Sequence, residues 1–183
     1  DVGAEKLKIM QEDPGAILWN YECLGNAKHQ SPLGYYRAQA WLAWHHNLTG
    51  IGFWSYCTSS ADPWYRPTDT LDYLMTYQGD GPVSSKRWEA VRDGVEDYAM
   101  LHALREATKA AGAKGGATDA VKEAQALLDG GATAIAQFCG LDEHGTEPGK
   151  GGAAGARKLA DERFQAIQET RREIARLMPL LTP

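Results

Sequence analysis

Two stretches rich in apolar and aromatic residues, AILWNYEC at 16–23 and TGIGFWSYC at 49–57, flank the segment LGYYRAQAWLAWHHNL at 33–48. The outer two are short, bounded by turn residues and enriched in aromatics, and read as strands. The inner one repeats Tyr36, Ala40, Ala43 and Trp44 at helical spacing, as it does Trp41 and His45, which predicts a helix of about three turns. Strand, helix and strand with short joins form a βαβ crossover, and such a crossover makes the two strands parallel. That unit places the chain in the α/β class.

The remaining segments are arranged around it. Residues 4–12 read as the end of a helix stopped by Asp13-Pro14-Gly15. A long excursion, 58–83, is rich in aromatics (Trp64, Tyr65, Tyr73 and Tyr77, with Tyr56 just before it), which argues for an ordered, functional loop. Within it DYLMTY suggests a strand or hairpin arm. Ser84 or Ser85 then caps a long helix, on which Trp88, Val91, Val95, Tyr98, Leu101 and Leu104 keep a beat of three and four residues and mark the expected buried face.

After Gly112 the composition turns to Ala and Gly. The pattern predicts a short helix capped by Thr118, a second apolar segment ATAIAQFCG, a Gly-rich linker over 140–155, and a last helix from about Ala156 to Met178 stopped by Pro179. Its inward face is expected to carry Ala160, Phe164, Ile167, Ile174 and Met178. The expected division is therefore 1–111 for the βα units and 112–183 for a helical extension.

Charge and hydropathy exclude some partners. The 183 residues carry a formal net charge of −5, whereas a nucleic-acid partner would call for a basic face. No apolar run reaches the roughly 20 residues of a membrane-spanning helix. Neither nucleic acid nor membrane is expected as a partner. The opening DVGAEKLKIMQ has no initiator Met or leader pattern, and the expectation is that it starts within a longer sequence. Three cysteines, Cys23, Cys57 and Cys139, are too few for a disulfide framework. Cys23 and Cys57 follow the two strands at similar points, so a bridge is conceivable, but two half-buried thiols are the simpler reading.

Alternation along the second strand separates Ile51, Phe53, Ser55 and Cys57 from Gly52, Trp54 and Tyr56. The first set suits covering helices. The second begins with no side chain and ends in two large rings, as expected of a barrel interior that opens at the carboxyl ends of its strands. Trp54 and Tyr56 would there offer flat apolar faces with an N–H and an O–H, a surface on which sugar rings stack. In the first strand, Ile17, Trp19, Tyr21 and Cys23 oppose Ala16, Leu18, Asn20 and Glu22, and alternation alone leaves the inward set open. By type and context Trp19 and Trp41 read as core, and Trp54 and Trp64 as functional.

The segments YYRAQAWLAWHHNLTGIGFWSYC and DGPVSSKRWEAVRDGVEDY, with Arg37 opening the helix, resemble the carboxyl-terminal end of glycoside hydrolase family 123-like catalytic domains. The likeness spans roughly residues 14–108. It implies a (β/α)8 barrel whose seventh and eighth βα units lie here, followed by the α-helical extension. Characterised members are N-acetylgalactosaminidases that use the acetamido oxygen of the substrate as nucleophile. In them an adjacent Asp-Glu pair on a mid-barrel strand orients the acetamide and supplies the general acid/base.

That pair is expected to lie outside the region matched here. Asp142–Glu143 falls in the Gly-rich linker with no strand before it, and Asp161–Glu162 reads as a solvated helix face, so neither takes the role. What the resemblance carries over is an aromatic substrate-binding wall: Trp19 and Tyr21, Trp54 and Tyr56, and in the following loop Asp62 and Trp64. It also implies a carbohydrate substrate, the remainder of the barrel as a partner from the same or another chain, and an extracellular or periplasmic setting. A non-catalytic carbohydrate-binding or structural domain of the same fold is the alternative.

Other candidates read more plainly. Glu22 is the only acid placed where a catalytic carboxylate could act, but a loop-edge hydrogen-bond or ion-pair acceptor is the simpler role. His45 and His46 suit a helix C-terminus, and no paired His or Cys spacing points to a metal. No cofactor is expected. GKGGAAG lacks the Lys-Ser/Thr and the preceding strand of a phosphate loop. On the long helix Arg87, Glu89, Arg92, Asp93, Glu96 and Asp97 are mostly expected in solvent, with Arg92 and Glu96 paired at i,i+4. Asn47-Leu48-Thr49 matches a glycosylation acceptor by chance.

Overall fold

The computed structural model describes residues 2–22, 32–56, 75–115, 118–131, 135 and 152–182. The first helix, α1 (Val2–Gln11), ends before Asp13, whose carboxylate accepts the Gly15 amide at 2.8 Å. Strand β1 (Trp19–Glu22) is followed by a π-helical turn, Pro32–Arg37, that runs directly into α2 (Ala38–His45), and β2 (Gly50–Phe53) comes next. The crossover is as expected: β1 and β2 pair in parallel, with Trp19 opposite Gly50 and Tyr21 opposite Gly52. The expected β2, however, ran to residue 57; the strand ends at Phe53, so Trp54 and Tyr56 lie beyond it and alternation does not place them.

Residues 75–84 form an antiparallel hairpin, β3 (Thr76–Gln78) with β4 (Pro82–Ser84). The long helix α3 (Lys86–Gly115) starts at Ser85, whose Oγ accepts the Trp88 amide at 3.1 Å. Helix α4 (Asp119–Ala126) is capped by Thr118, which accepts from the Val121 amide, and it passes into a wide turn over Leu127–Gly131. The last helix, α5 (Gly152–Leu181), begins four residues earlier than expected and carries Pro179 inside it, two residues before its end. A proline so near a C-terminus forfeits little of the ladder. The expected linker 140–155 and the segment ATAIAQFCG lie largely outside the described residues.

The buried face of α3 differs from the expected one. Arg87, Ala90, Gly94, Asp97, Leu101, Leu104 and Thr108 are buried, whereas Trp88 and Val95 stay 40% and 52% exposed. Leu101 and Leu104 are buried as expected, and Val91 and Tyr98 pack against the apolar clusters. The N-terminal half of the helix is turned so that Trp88 and Val95 face out, because Arg37 is buried on α2's leading turn and needs a carboxylate. Asp97 supplies it: Arg37 Nε and Nη2 donate to its two oxygens at 2.7 and 3.0 Å, Trp41 Nε1 donates at 3.0 Å, and Arg171 of α5 donates at 2.7 Å. Gly94 permits this closeness, since a Cβ there would stand 2.7 Å from the Arg37 carbonyl oxygen. Asp97 and Arg87 are thus not solvated as expected, and Arg92 pairs with Glu89 at 2.7 Å.

One apolar core joins Trp41 and Trp44 of α2, Leu101 and Leu104 of α3, Ala124 of α4, and Ile167, Ile174, Leu177 and Leu181 of α5. A smaller cluster packs Phe53 and Val91 against Tyr35, Tyr36, Met75 and Ala90. It covers one face of the sheet. On the last helix the buried stripe is Arg163, Ile167, Thr170, Ile174, Leu177 and Leu181, so Phe164 and Met178 flank it and do not define it. Among the described residues no helix is long and apolar enough to cross a membrane.

Asp97→Ala leaves the buried Arg37 guanidinium with only the longer 3.7 Å pairing to the part-exposed Asp93, so denaturant unfolding should show a loss of about 3 kcal/mol, the low end for a broken buried pair. Arg171→Ala removes only the part-exposed arm of the network and should cost about 1 kcal/mol. Equal losses from the two variants would contradict this account of α3's rotation.

Candidate functional site

The two strands have unlike faces. Asn20 and Phe53 look toward the helices: Asn20 Nδ2 donates to Gln39 Oε1, and the Phe53 ring lies 5.4 Å from that of Tyr36. The opposite face carries Trp19 and Tyr21 on β1 and the two glycines of β2. A Cβ on Gly50 would overlap the Trp19 indole, and one on Gly52 would meet Tyr21 Cδ2 at 3.3 Å. The glycines are therefore where the rings lie down. They make a flat aromatic surface on a bare strand.

This arrangement corrects the reading of Trp19 as core, since it is 65% exposed, whereas Trp41 is buried as expected. Tyr21, Trp54 and Tyr56 are also more than half exposed. The indole N–H groups of Trp19 and Trp54 have no acceptor among the described residues, so each is available to a ligand. Tyr56 turns its ring to the first turn of α3, edge-on to Trp88 at 5.7 Å and 84°. The peptide between Trp54 and Ser55 is cis. Asp62, Trp64, Cys23, Cys57, Cys139 and Asp142–Glu143 lie outside the described residues, as does the side chain of Glu22, whose backbone pairs opposite Phe53.

A cavity of about 290 Å³ lies beside β2, lined by Trp19, Thr49, Gly50, Ile51, Val95 and Tyr98 together with Ala40 and Ala43 of α2. Tyr98 holds its position by donating to the Leu48 carbonyl at 2.9 Å and packing edge-on against Trp44. Beneath the sheet Gln39 is fully buried, and its Nε2 has no hydrogen-bond partner among the described residues. Asp161 and Glu162 are exposed on α5, in keeping with a solvated face.

His45 and His46 close α2, with rings 4.7 Å apart. Burial, and secondarily the neighbouring His45, lowers the His46 pKa from its usual value. Among the described residues no three His, Cys, Asp or Glu side chains are grouped to hold a metal.

A parallel βαβ unit among long helices, with aromatic rings exposed over strand glycines, makes this a mixed helix and sheet domain. The model of the family described as "Glycoside hydrolase 123, catalytic domain" matches residues 2–104, more than half of the chain, and the chain belongs to that family. No curated protein and no solved structure matches it.

The seating of Trp19 is directly testable. Gly50→Ala should lift the indole from the strand, changing its fluorescence and raising its quenching by acrylamide while far-ultraviolet dichroism is preserved. An unchanged emission spectrum would contradict the described packing.

Proposed function

We propose that the chain is the carboxyl-terminal part of a (β/α)8 glycoside hydrolase barrel of the N-acetylhexosaminidase type. In this reading Trp19, Tyr21, Trp54 and Tyr56, with Asp62 and Trp64 from the following loop, form the aromatic wall of a sugar subsite. The observation that carries it is the pairing of exposed rings with the two glycines of β2, within a chain of this family. Flat C–H faces of a pyranose pack on such rings, and its hydroxyls can reach the unpaired indole N–H groups.

Two further features support a longer barrel. A two-stranded parallel sheet cannot close on itself, and the cavity beside β2 offers Ile51, Val95 and Tyr98 as an apolar flank for another strand. Gln39 Nε2 is a buried donor whose missing acceptor a neighbouring element would supply; left unmet, such a group costs about 1–3 kcal/mol. The rest of the barrel, from the same or another chain, would then provide the Asp-Glu pair. Its Asp would orient the acetamide, and its Glu would protonate the leaving oxygen while the acetamido oxygen attacks the anomeric carbon. This chain's part is binding and orientation.

The test is hydrolysis of nitrophenyl N-acetyl-β-galactosaminide by the whole protein that contains this chain. Trp54→Ala should lower kcat/KM at least tenfold, the loss expected from one well-packed aromatic platform of about 1.5 kcal/mol. Unchanged KM and kcat in an active parent would remove Trp54 from the wall. Saccharide binding without hydrolysis would instead favour the non-catalytic domain.

A further inference from the structure

Periodicity predicts Trp88 in the core of α3, yet it is exposed beside Tyr56. A framework of hydrogen bonds fixes the two relative to each other. The Tyr56 carbonyl oxygen accepts from the amides of Met75 and Thr76 at 3.2 and 3.0 Å, and from Thr76 Oγ1 at 3.1 Å. Ser85 Oγ then donates to the Met75 carbonyl oxygen and accepts the Trp88 amide at 3.1 Å. The segment just after β2, the start of the hairpin and the first turn of α3 are thereby one connected unit. Next to it Arg87 Nη2 donates to the Tyr77 hydroxyl at 3.1 Å, with its guanidinium over the same ring. The spacing of Tyr56 and Trp88 therefore does not depend on loose side chains.

From this framework we infer that Trp88 is a second sugar platform, so that the site takes an oligosaccharide of at least two residues. The inference rests on the sugar-wall reading above and extends it. The planes of Tyr56 and Trp88 meet at 84°, so one flat pyranose cannot stack on both rings. A ring lying along Tyr56 leaves the exposed face of Trp88 for its neighbour. The Trp88 indole N–H has no acceptor among the described residues and is free to bond a hydroxyl of that second residue. Apolar rings with unpaired donors fit a carbohydrate better than the fully apolar face of a protein partner.

The experiment is calorimetric titration of the chain with N-acetylgalactosamine and with a trisaccharide that ends in it. The wild type should bind the trisaccharide more tightly, and Trp88→Ala should cut that advantage about tenfold. Trp88→Phe, which keeps a ring at the position, should retain at least half of it and guards against a folding defect in the first variant. An advantage that survives Trp88→Ala, or a wild type with none, overturns the second platform while leaving the first intact. Failure of the wild type to bind either sugar overturns the wall itself, and the second platform with it.

Discussion

The buried carboxylate of Asp97 organises this molecule. Its two oxygens receive Arg37 and Trp41 from the crossover segment and Arg171 from the last helix, so α2, α3 and α5 are locked to one point. The buried Arg37 and Asp97 need each other, because a guanidinium taken from water without a carboxylate is costly and a carboxylate without donors equally so, whereas the part-exposed Arg171 adds a smaller share. Gly94 lets the helices approach closely enough for these bonds to form. The rotation of α3 that results is also what leaves Trp88 outside, next to Tyr56. A structural ion pair therefore shapes the aromatic surface around Tyr56.

Much of the element order was legible because local punctuation marks it. Asp13-Pro14-Gly15 stops a helix, Ser85 and Thr118 start two others through side-chain caps, and the aromatic runs on either side of α2 announce the crossover. The rotation of α3 was not legible. Periodicity favoured Trp88 and Val95 as core, and nothing local indicates that Asp97 will be drawn inward by an arginine 60 residues away. The end of α5 was missed because a proline in the last turn breaks few bonds and need not stop a helix.

The site was partly legible. Trp54 and Tyr56 were singled out by the glycines and rings of one stretch, and both rings are exposed. For Trp19, residue type points to the core and the family resemblance to the wall, because both alternating faces of β1 are bulky and a lone strand does not say which way it turns. Its pairing resolved the matter: Trp19 stands opposite Gly50 and Tyr21 opposite Gly52. Glycines at alternate positions of one strand, with rings at alternate positions of its parallel neighbour, were the available signal. The exposure of Trp88 beside Tyr56 could not have been found this way, since it depends on a contact between residues 32 positions apart in the sequence.

The central claim is that the rings lying over Gly50 and Gly52, together with Trp54, meet a sugar. The most direct test is a nuclear magnetic resonance titration of the indole N–H signals with N-acetylgalactosamine. The account predicts progressive, saturable shifts for Trp19 and Trp54, with the buried indoles of Trp41 and Trp44 unmoved. Shifts confined to the buried indoles, or none at saturating sugar, would contradict it.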